Sequence, residues 1–452
     1  MIDSHCHLDM KQFDADRDVC IRRAKDSGTE AMITIGTDLE SSKEAIGLAK
    51  TYPYVYATAG IHPHSASTFT INTYDALKTL CSNDKVVAVG ETGLDYHYDH
   101  SPRQIQREVF ARHIELASEV TLPLVIHSRE AKEDTLELIK KHDLKDAVLH
   151  CFSGDLHMAD VLVAQGLYIS FSGVVTFKKA QQLREVLQMV PDDLLMIETD
   201  APYLAPLPFR GKRNEPSFLR YTAEVVAQVR GISLQDVIRI TTCNAKRLFR
   251  IGDVASTGVI TYKIRDSLYI NVTNRCTNEC AFCIRYKKDF VKGHNMRLVR
   301  EPEAEEIIAA IGNPLIHKEV VFCGYGEPLI RLETVKDVAR DVKARGGTVR
   351  VNTNGLGNLV HKRNILPELS GLVDHICISL NAQDAQTYER LCKPVFKGAY
   401  DGLLDFVKEA RHYISVVTLT VVDTEGVDVN KCQAIASRLG VSFRVRHLDV
   451  VG

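Results

Sequence analysis

The chain has 452 residues, a length that predicts two or three domains, and its 45% hydrophobic and 25% charged content excludes disordered and fibrous classes. The first 255 residues carry 29 basic and 35 acidic side chains, a balance of -6, and the remainder 27 and 23, a balance of +4. Neither half has the strongly basic footprint of a protein that holds nucleic acid by charge alone.

In chain order, β-branched runs near 2–8, 31–37, 55–61, 86–91, 122–127, 146–151, 168–174 and 194–200 alternate with amphipathic stretches, the pattern of βα units and a parallel sheet. Eight such units, closing with a helical segment over 233–249, predict a (β/α)8 barrel over residues 1–252. Residues 253–261 read as a short linker. The alternation restarts at 262, with strands near 268–273, 319–323, 348–352, 374–380, 415–421 and 442–446, enough for a partial (β/α)6 barrel over 262–452. No run of about 18 apolar residues predicts a membrane span. The polar opening Ile2-Asp3-Ser4-His5 does not read as a signal peptide, so a cytoplasmic protein is expected.

The first chemical constellation lies at the predicted strand ends. His5 and His7 are two apart in an extended segment and share a face. Glu91 ends the fourth strand, His127 the fifth, His150 the sixth and Asp200 the eighth, so all converge on the C-terminal mouth where barrel enzymes place their chemistry. Four imidazoles and two carboxylates there are costly unless cations satisfy them, so a dinuclear site is expected. His62 and His64 flank Pro63, and from the residues alone this stretch reads as a turn fixed by the proline. Arg129 beside His127 is a phosphate contact or a solvated arginine, and Glu198 is a candidate for supporting the ligands from behind.

The strings M-I-D-S-H-C-H-L-D, A-G-I-H-P-H, G-E-T-G-L-D-Y, I-H-S-R, H-C-F-S-G, E-T-D-A-P-Y-L-A-P and N-A-K-R-L-F, all in order over residues 1–252, resemble the TatD-type metal-dependent hydrolases and deoxyribonucleases of the amidohydrolase superfamily. The resemblance implies one divalent ion (Mg, Mn or Zn) held by His5, His7 and Asp200, and a second held by His127 and His150. Glu91 would bridge them, Asp200 would orient or deprotonate water, and His62 would contact phosphate. The implied reaction is phosphodiester hydrolysis, trimming single-stranded DNA from its 3' end. The alternative is a small-molecule amidohydrolase or phosphoesterase serving the same pathway as the second half.

The second constellation is Cys276, Cys280 and Cys283, a C-x3-C-x2-C pattern directly after a predicted strand. With 12 cysteines in the chain, roughly 0.008 chance occurrences are expected. No fourth cysteine or histidine follows at the short spacing of a zinc knuckle. Three thiolates without a close fourth suit a 4Fe-4S cluster with one open iron. With C-G-Y-G-E-P at 323–328, V-N-T-N-G at 351–355 and I-S-L-N-A at 378–382, the stretch 262–452 resembles radical S-adenosylmethionine enzymes. That resemblance implies S-adenosyl-L-methionine near Gly326, Glu327 and Pro328, with Asn352, Thr353, Asn354 and Ser379 as further contacts. It also implies an electron donor such as flavodoxin or ferredoxin, and a small-molecule or nucleic-acid substrate that the residues do not identify. Tyr325 stands where the family has the first glycine of G-G-E-P, which leaves that turn open. Cys323, Cys377, Cys392 and Cys432 read as core residues, and the stretch from Arg285 to Lys292 as a solvated loop ahead of the alternative, a contact for an anionic substrate.

Overall fold

In a computed structural model, which describes residues 1–253 and 257–447, the chain divides into two units, Met1–Val254 and Ala255–Gly452. Residues 254–256 of the predicted linker and 448–452 of the predicted second domain lie outside the described residues.

The first unit contains the eight expected strands: β1 (Ile2–Cys6), β2 (Ala31–Thr34), β3 (Val55–Ala59), β4 (Val86–Asp95), β5 (Leu124–Arg129), β6 (Ala147–Leu149), β7 (Tyr168–Phe171) and β8 (Leu195–Ile197). They pair in parallel and in sequence order. Every residue of β1, β2, β4, β6, β7 and β8 is buried. Strands covered by helices outside and by packed side chains inside have no solvent face, so their sequences run continuously apolar. The barrel seam closes just past β8: a parallel bridge joins Cys6 to Ala201, His7 N donates to Ala201 O at 2.7 Å, and Asp200 N donates to His5 O at 2.9 Å.

Two strands depart from regular pairing. The β4–β5 register advances from Val89↔Leu124 to Thr92↔Ile126, and the β1–β2 register from Asp3↔Met32 to Cys6↔Thr34. Each shift inserts one extra residue, which bends the strand and re-aims a side chain. The inserted residues fall beside Glu91 and His5. The backbone there is tightly approached: a Cβ on Gly60, just past β3, would lie 2.5 Å from Gly90 Cα, so only glycine fits.

The second unit places β9 (Thr261–Ile264), β10 (Ser267–Ile270), β13 (Glu319–Phe322), β14 (Val349–Thr353), β15 (His375–Ser379), β16 (Val416–Asp423) and β17 (Ser442–His447) in one sheet; β11 (Phe290–Val291) and β12 (His294–Asn295) form a separate hairpin. The six expected parallel strands are present. The sequence reading missed β9, which runs antiparallel to β10 and begins inside the predicted linker. Its two-residue turn at Arg265 and Asp266, with Arg265 at φ +51°, carries none of the glycine or asparagine that marks such turns. The predicted solvated loop likewise ends in β11, from which the chain turns through Lys292 and Gly293 at φ +47° and +75° into β12.

Tyr325 settles the turn that the sequence left open. It is 5% exposed, its amide donates to Asn271 Oδ1 at 3.1 Å, and its hydroxyl lies 2.6 Å from Lys288 O and 2.8 Å from Asp289 Oδ1. The bulky ring therefore ties the loop after β13 to the segment after the cysteines. Among the described residues, no helix is long and apolar enough to cross a membrane.

Two substitutions check these constraints. Gly60→Ala forces Gly90 to move and is expected to lower the unfolding free energy by about 1–3 kcal/mol, followed by circular dichroism in urea because the chain has no tryptophan; an unchanged midpoint would mean the strands part freely. Tyr325→Phe removes only the hydroxyl, at an expected cost of about 1–2 kcal/mol locally, and should speed limited tryptic cleavage at Arg285 to Lys288. Equal cleavage rates in both proteins would contradict the tethering role.

Candidate active sites

The inserted residue of β4 delivers the Glu91 carboxylate into a ring of imidazoles, where it is 2% exposed. Its Oε2 lies 3.4 Å from His5 Nε2 and 3.9 Å from His7 Nε2. Its Oε1 lies 2.9 Å from His127 Nδ1, 2.8 Å from His150 Nε2 and 3.4 Å from His62 Nε2. Burial opposes ionisation, yet the histidines around it, His150 foremost, hold this carboxyl well below the usual range.

Asp200 completes the first side. Its Oδ1 is 3.7 Å from His5 Nε2 and 3.4 Å from His7 Nε2, and the two imidazole nitrogens stand 3.3 Å apart. Asp200 adopts φ +57°, a left-handed conformation that costs energy for any residue with a Cβ and that clusters at functional sites. The cost is met by the seam bonds on either side and by Asp3, whose carboxylate accepts from Thr199 N at 2.9 Å and Thr199 Oγ1 at 2.6 Å.

On the second side, carboxylates stand behind the two histidines. His127 Nε2 bonds Asp95 Oδ2 at 3.2 Å, which turns Nδ1 toward Glu91. His150 Nδ1 lies 3.4 Å from Glu198 Oε1 without forming a hydrogen bond, and its Nε2 faces the same point. Asp95 also accepts from the amides of His97 and Tyr98, both at 3.0 Å. Burial raises and these partners lower its pKa, and the partners prevail. Glu198 Oε1 accepts from Cys151 N at 2.6 Å. Carboxylates behind histidines in this way set tautomer and ring orientation. The sequence reading singled out Glu198 but gave no role to Asp95, although a carboxylate four residues along the same strand from Glu91 keeps its face.

His62 joins the group and His64 does not. Pro63 opens the turn, and His62 Nδ1 accepts from His64 N at 3.1 Å, so the neutral ring carries its proton on Nε2, aimed at the centre. Burial pushes its pKa down to about 4, which keeps it neutral. His64 turns away to Asp95 Oδ2 at 3.0 Å. Buried His113, unremarked in the sequence, accepts from Ile61 N at 3.0 Å and bonds Val109 O at 2.8 Å, anchoring the backbone just before His62. Arg129 is exposed and lies over the Tyr98 ring, 4.9 Å from its centroid. It lines a cleft of 420 Å³ with Lys132 and Ser153.

In the second unit, Cys276, Cys280 and Cys283 are partly buried on the segment after β10. Backbone bonds hold that segment: Glu279 N donates to Cys392 O at 3.0 Å, Ala281 N to Leu391 O at 2.9 Å, and Val395 N to Thr277 O at 3.0 Å. The Arg285 guanidinium donates to Asn274 O and Asn278 O at 2.9 and 3.1 Å. A Cβ on Gly326 would lie 2.2 Å from Arg275 O and 2.6 Å from Thr273 O, so glycine is required where this turn presses on the cysteine segment. Burial pushes the Cys276 thiol up to about 12.

Glu327 turns inward rather than toward open space. Its carboxylate accepts from Thr353 Oγ1 at 2.7 Å, Asn354 N at 2.7 Å and Leu329 N at 3.1 Å; burial nevertheless raises its pKa to about 7. Asn354 Nδ2 donates to Thr277 Oγ1 at 2.8 Å, which brings Glu327, Thr353 and Asn354 together with the cysteine segment, Pro328 following directly. Asn352 Oδ1 accepts from Arg350 at 3.1 Å. Ser379 sits on β15 with Arg446 Nη2 at 3.4 Å.

A family model described as TatD related DNase matches residues 2–250, and one described as the radical SAM superfamily matches residues 270–434. An uncharacterized metal-dependent hydrolase of Bacillus subtilis is 43% identical over 254 residues, 56% of this chain and 100% of its own. A 3'-5' ssDNA/RNA exonuclease of Erwinia tasmaniensis is 38% identical over 259 residues, again 56% of this chain and 100% of its own. The solved structure of a TatD homologue from Escherichia coli covers 56% of this chain and 98% of its own, with 30% identity and a TM-score of 0.54. With more than half of its length matched, the chain belongs to the TatD-related DNase family and carries a radical SAM domain behind the barrel, a metal-dependent hydrolase and a radical SAM enzyme in one polypeptide.

Proposed function

We propose that the first half is a dinuclear phosphodiesterase that trims single-stranded DNA from its 3' end, and the second a 4Fe-4S radical S-adenosylmethionine enzyme. The observation that carries the first reading is the split carboxylate: Glu91 Oε2 faces His5 and His7, while Oε1 faces His127 and His150. On the second side, His127 Nδ1 and His150 Nε2 stand 3.2 Å apart, both within 2.9 Å of Glu91 Oε1. Such convergence in a buried site is matched by a cation that accepts all three. The donor set therefore fits two divalent ions, Mg, Mn or Zn, with Glu91 between them.

When bound, the ions would supply an activated water and neutralise the leaving oxygen of a phosphodiester. Asp200 would hold the attacking water; His7 and His5 keep it ionised against burial, so it orients more than it deprotonates. His62, neutral with its proton on Nε2, would donate to a phosphate oxygen. Arg129 on the rim would pair with a second phosphate along the strand. The Erwinia exonuclease supports DNA as the substrate. The balance of -6 in the barrel half favours instead a small phosphate ester or amide as the second reading.

Cys276, Cys280 and Cys283 would bind three irons. Burial keeps the Cys276 and Cys283 thiols protonated, whereas a hydrogen bond with Cys392 lowers the Cys280 thiol; for the first two the cluster itself would supply the charge that makes them thiolates. When bound, the cluster and S-adenosylmethionine would together supply reductive cleavage of the sulfonium, releasing methionine and providing radical hydrogen abstraction from a substrate, with the electron coming from a flavodoxin or ferredoxin. Gly326, Glu327 and Pro328, with Asn352, Thr353, Asn354 and Ser379, would line its site. The halves are proposed as independent domains, 1–252 and 262–452, in the cytoplasm.

Digestion of 5'-labelled single-stranded DNA with Mg2+ or Mn2+ tests the first reading. A ladder shortening from the 3' end is expected, lost on chelation and at least about 100-fold slower in Glu91→Gln. Release of product only from small phosphate esters or cyclic amides would transfer the assignment to the second reading. Cys280→Ala should abolish reconstituted iron while leaving hydrolysis intact; loss of both in a folded protein would refute independence of the halves.

A further inference from the structure

Strand β17 alternates. Phe443 and Val445 pack into the apolar layer, which turns Arg444 and Arg446 to the inner face of the sheet. There Arg444 stands beside Thr420 and Arg446 beside Val422. Arg446 reaches across β16 to within 3.4 Å of Ser379 Oγ, and its Nε is enclosed without a hydrogen-bond partner.

Arg350 on the same inner face shows what a satisfied arginine looks like here. Its guanidinium pairs with Glu319 at 3.0 Å and bonds Tyr269 Oη at 3.2 Å and Asn352 Oδ1 at 3.1 Å. Arg446 has no such counter-charge: among the described residues, neither it nor Arg444 forms an ion pair. The groups that act on its charge are Arg444, which repels it, and the thiols of Cys323, Cys377 and Cys280, the last in the cysteine motif. A half-buried guanidinium whose Nε is enclosed is costly when no acid among the described residues meets it, and a planar fork of donors matches a phosphate or carboxylate.

We propose that Arg446, with Arg444 adding charge from the same strand, anchors a phosphate or carboxylate group of the radical half's substrate. The proposal rests on the radical S-adenosylmethionine reading of that half. Every candidate contact for the cofactor lies on the segments after β10 and β13, on or just after β14, or at the end of β15. Strands β16 and β17 carry none, so Arg446 stands on the wall beyond the cofactor.

The test uses the full chain, anaerobic and with its cluster reconstituted. Calorimetric titrations with inorganic phosphate, with acetate and with S-adenosylmethionine are compared between wild type and Arg446→Gln. The barrel half is identical in both, so differences report the arginine. Binding of phosphate or acetate is expected to weaken about tenfold or more in the variant, with cofactor affinity kept within about twofold. A phosphate loss alone assigns a phosphorylated substrate, and an acetate loss alone a carboxylate. A tenfold loss of cofactor affinity would give Arg446 to the methionyl carboxylate and overturn the proposal, as would unchanged binding of both anions. Should Arg446→Gln not fold, Arg446→Lys keeps the charge without the fork, and a partial anion loss is expected. Wild type that binds no cofactor would refute the radical reading itself, while the anion difference would still be read.

Discussion

A carboxylate that is 2% exposed, with five imidazoles within 3.9 Å, cannot be stabilised by hydrogen bonds alone. Too few protons lie between too many lone pairs, and protonating every ring would bury several positive charges around one negative. The barrel accepts this arrangement and concentrates its irregularities there. The inserted residues of β1 and β4, the glycine contact between Gly60 and Gly90, and the left-handed Asp200 all lie within one layer at the C-terminal mouth. The seam that closes the barrel runs through the same residues, because the bonds from Asp200 N to His5 O and from His7 N to Ala201 O join the first and last strands. Closing the barrel and assembling the site are thus one event.

The second half meets the opposite problem. It must hold an irregular segment with three cysteines in place, and it does so mostly with neutral contacts. Glu327 is used as a hub of three donors instead of a free acid. Gly326 permits the backbone contact, Tyr325 ties the far end, and Arg285 caps two carbonyls of the segment. The residues of the Tyr-Gly-Glu-Pro turn therefore carry structural duties whatever they contribute to a cofactor.

Much of this was legible because parallel barrels put chemistry at strand ends. A run such as V-L-H-C announces both the strand and the residue that terminates it, and the histidines, Glu91, Asp200 and the cysteines could be placed before any coordinate. What could not be read depends on register or distant approach. The inserted residues of β1 and β4 leave no compositional mark. Strand β9 was lost because Arg265 and Asp266 turn the chain without glycine or asparagine. The proton position on His62 depends on one amide, that of His64, and the duty of Asp95 on an imidazole 32 residues away. Tyr325 looked like a defect in a glycine motif because its partners at 288 and 289 are remote in sequence.

On these readings, both halves bind anions without a basic surface, which is why a net charge of -2 does not argue against phosphate-bearing substrates. In the barrel, attraction comes from cations that the chain does not encode, held by a neutral and acidic ligand set whose own charge is unfavourable to DNA. In the second half it comes from a guanidinium half-buried on the inner face, where screening by salt is weak. Net charge counts ionisable side chains over the whole surface; affinity at these two sites depends on a few charges placed where the dielectric is low. Glu91 and Asp200 are part of the excess of acids in the first half, and on this reading they are needed there to hold the ions.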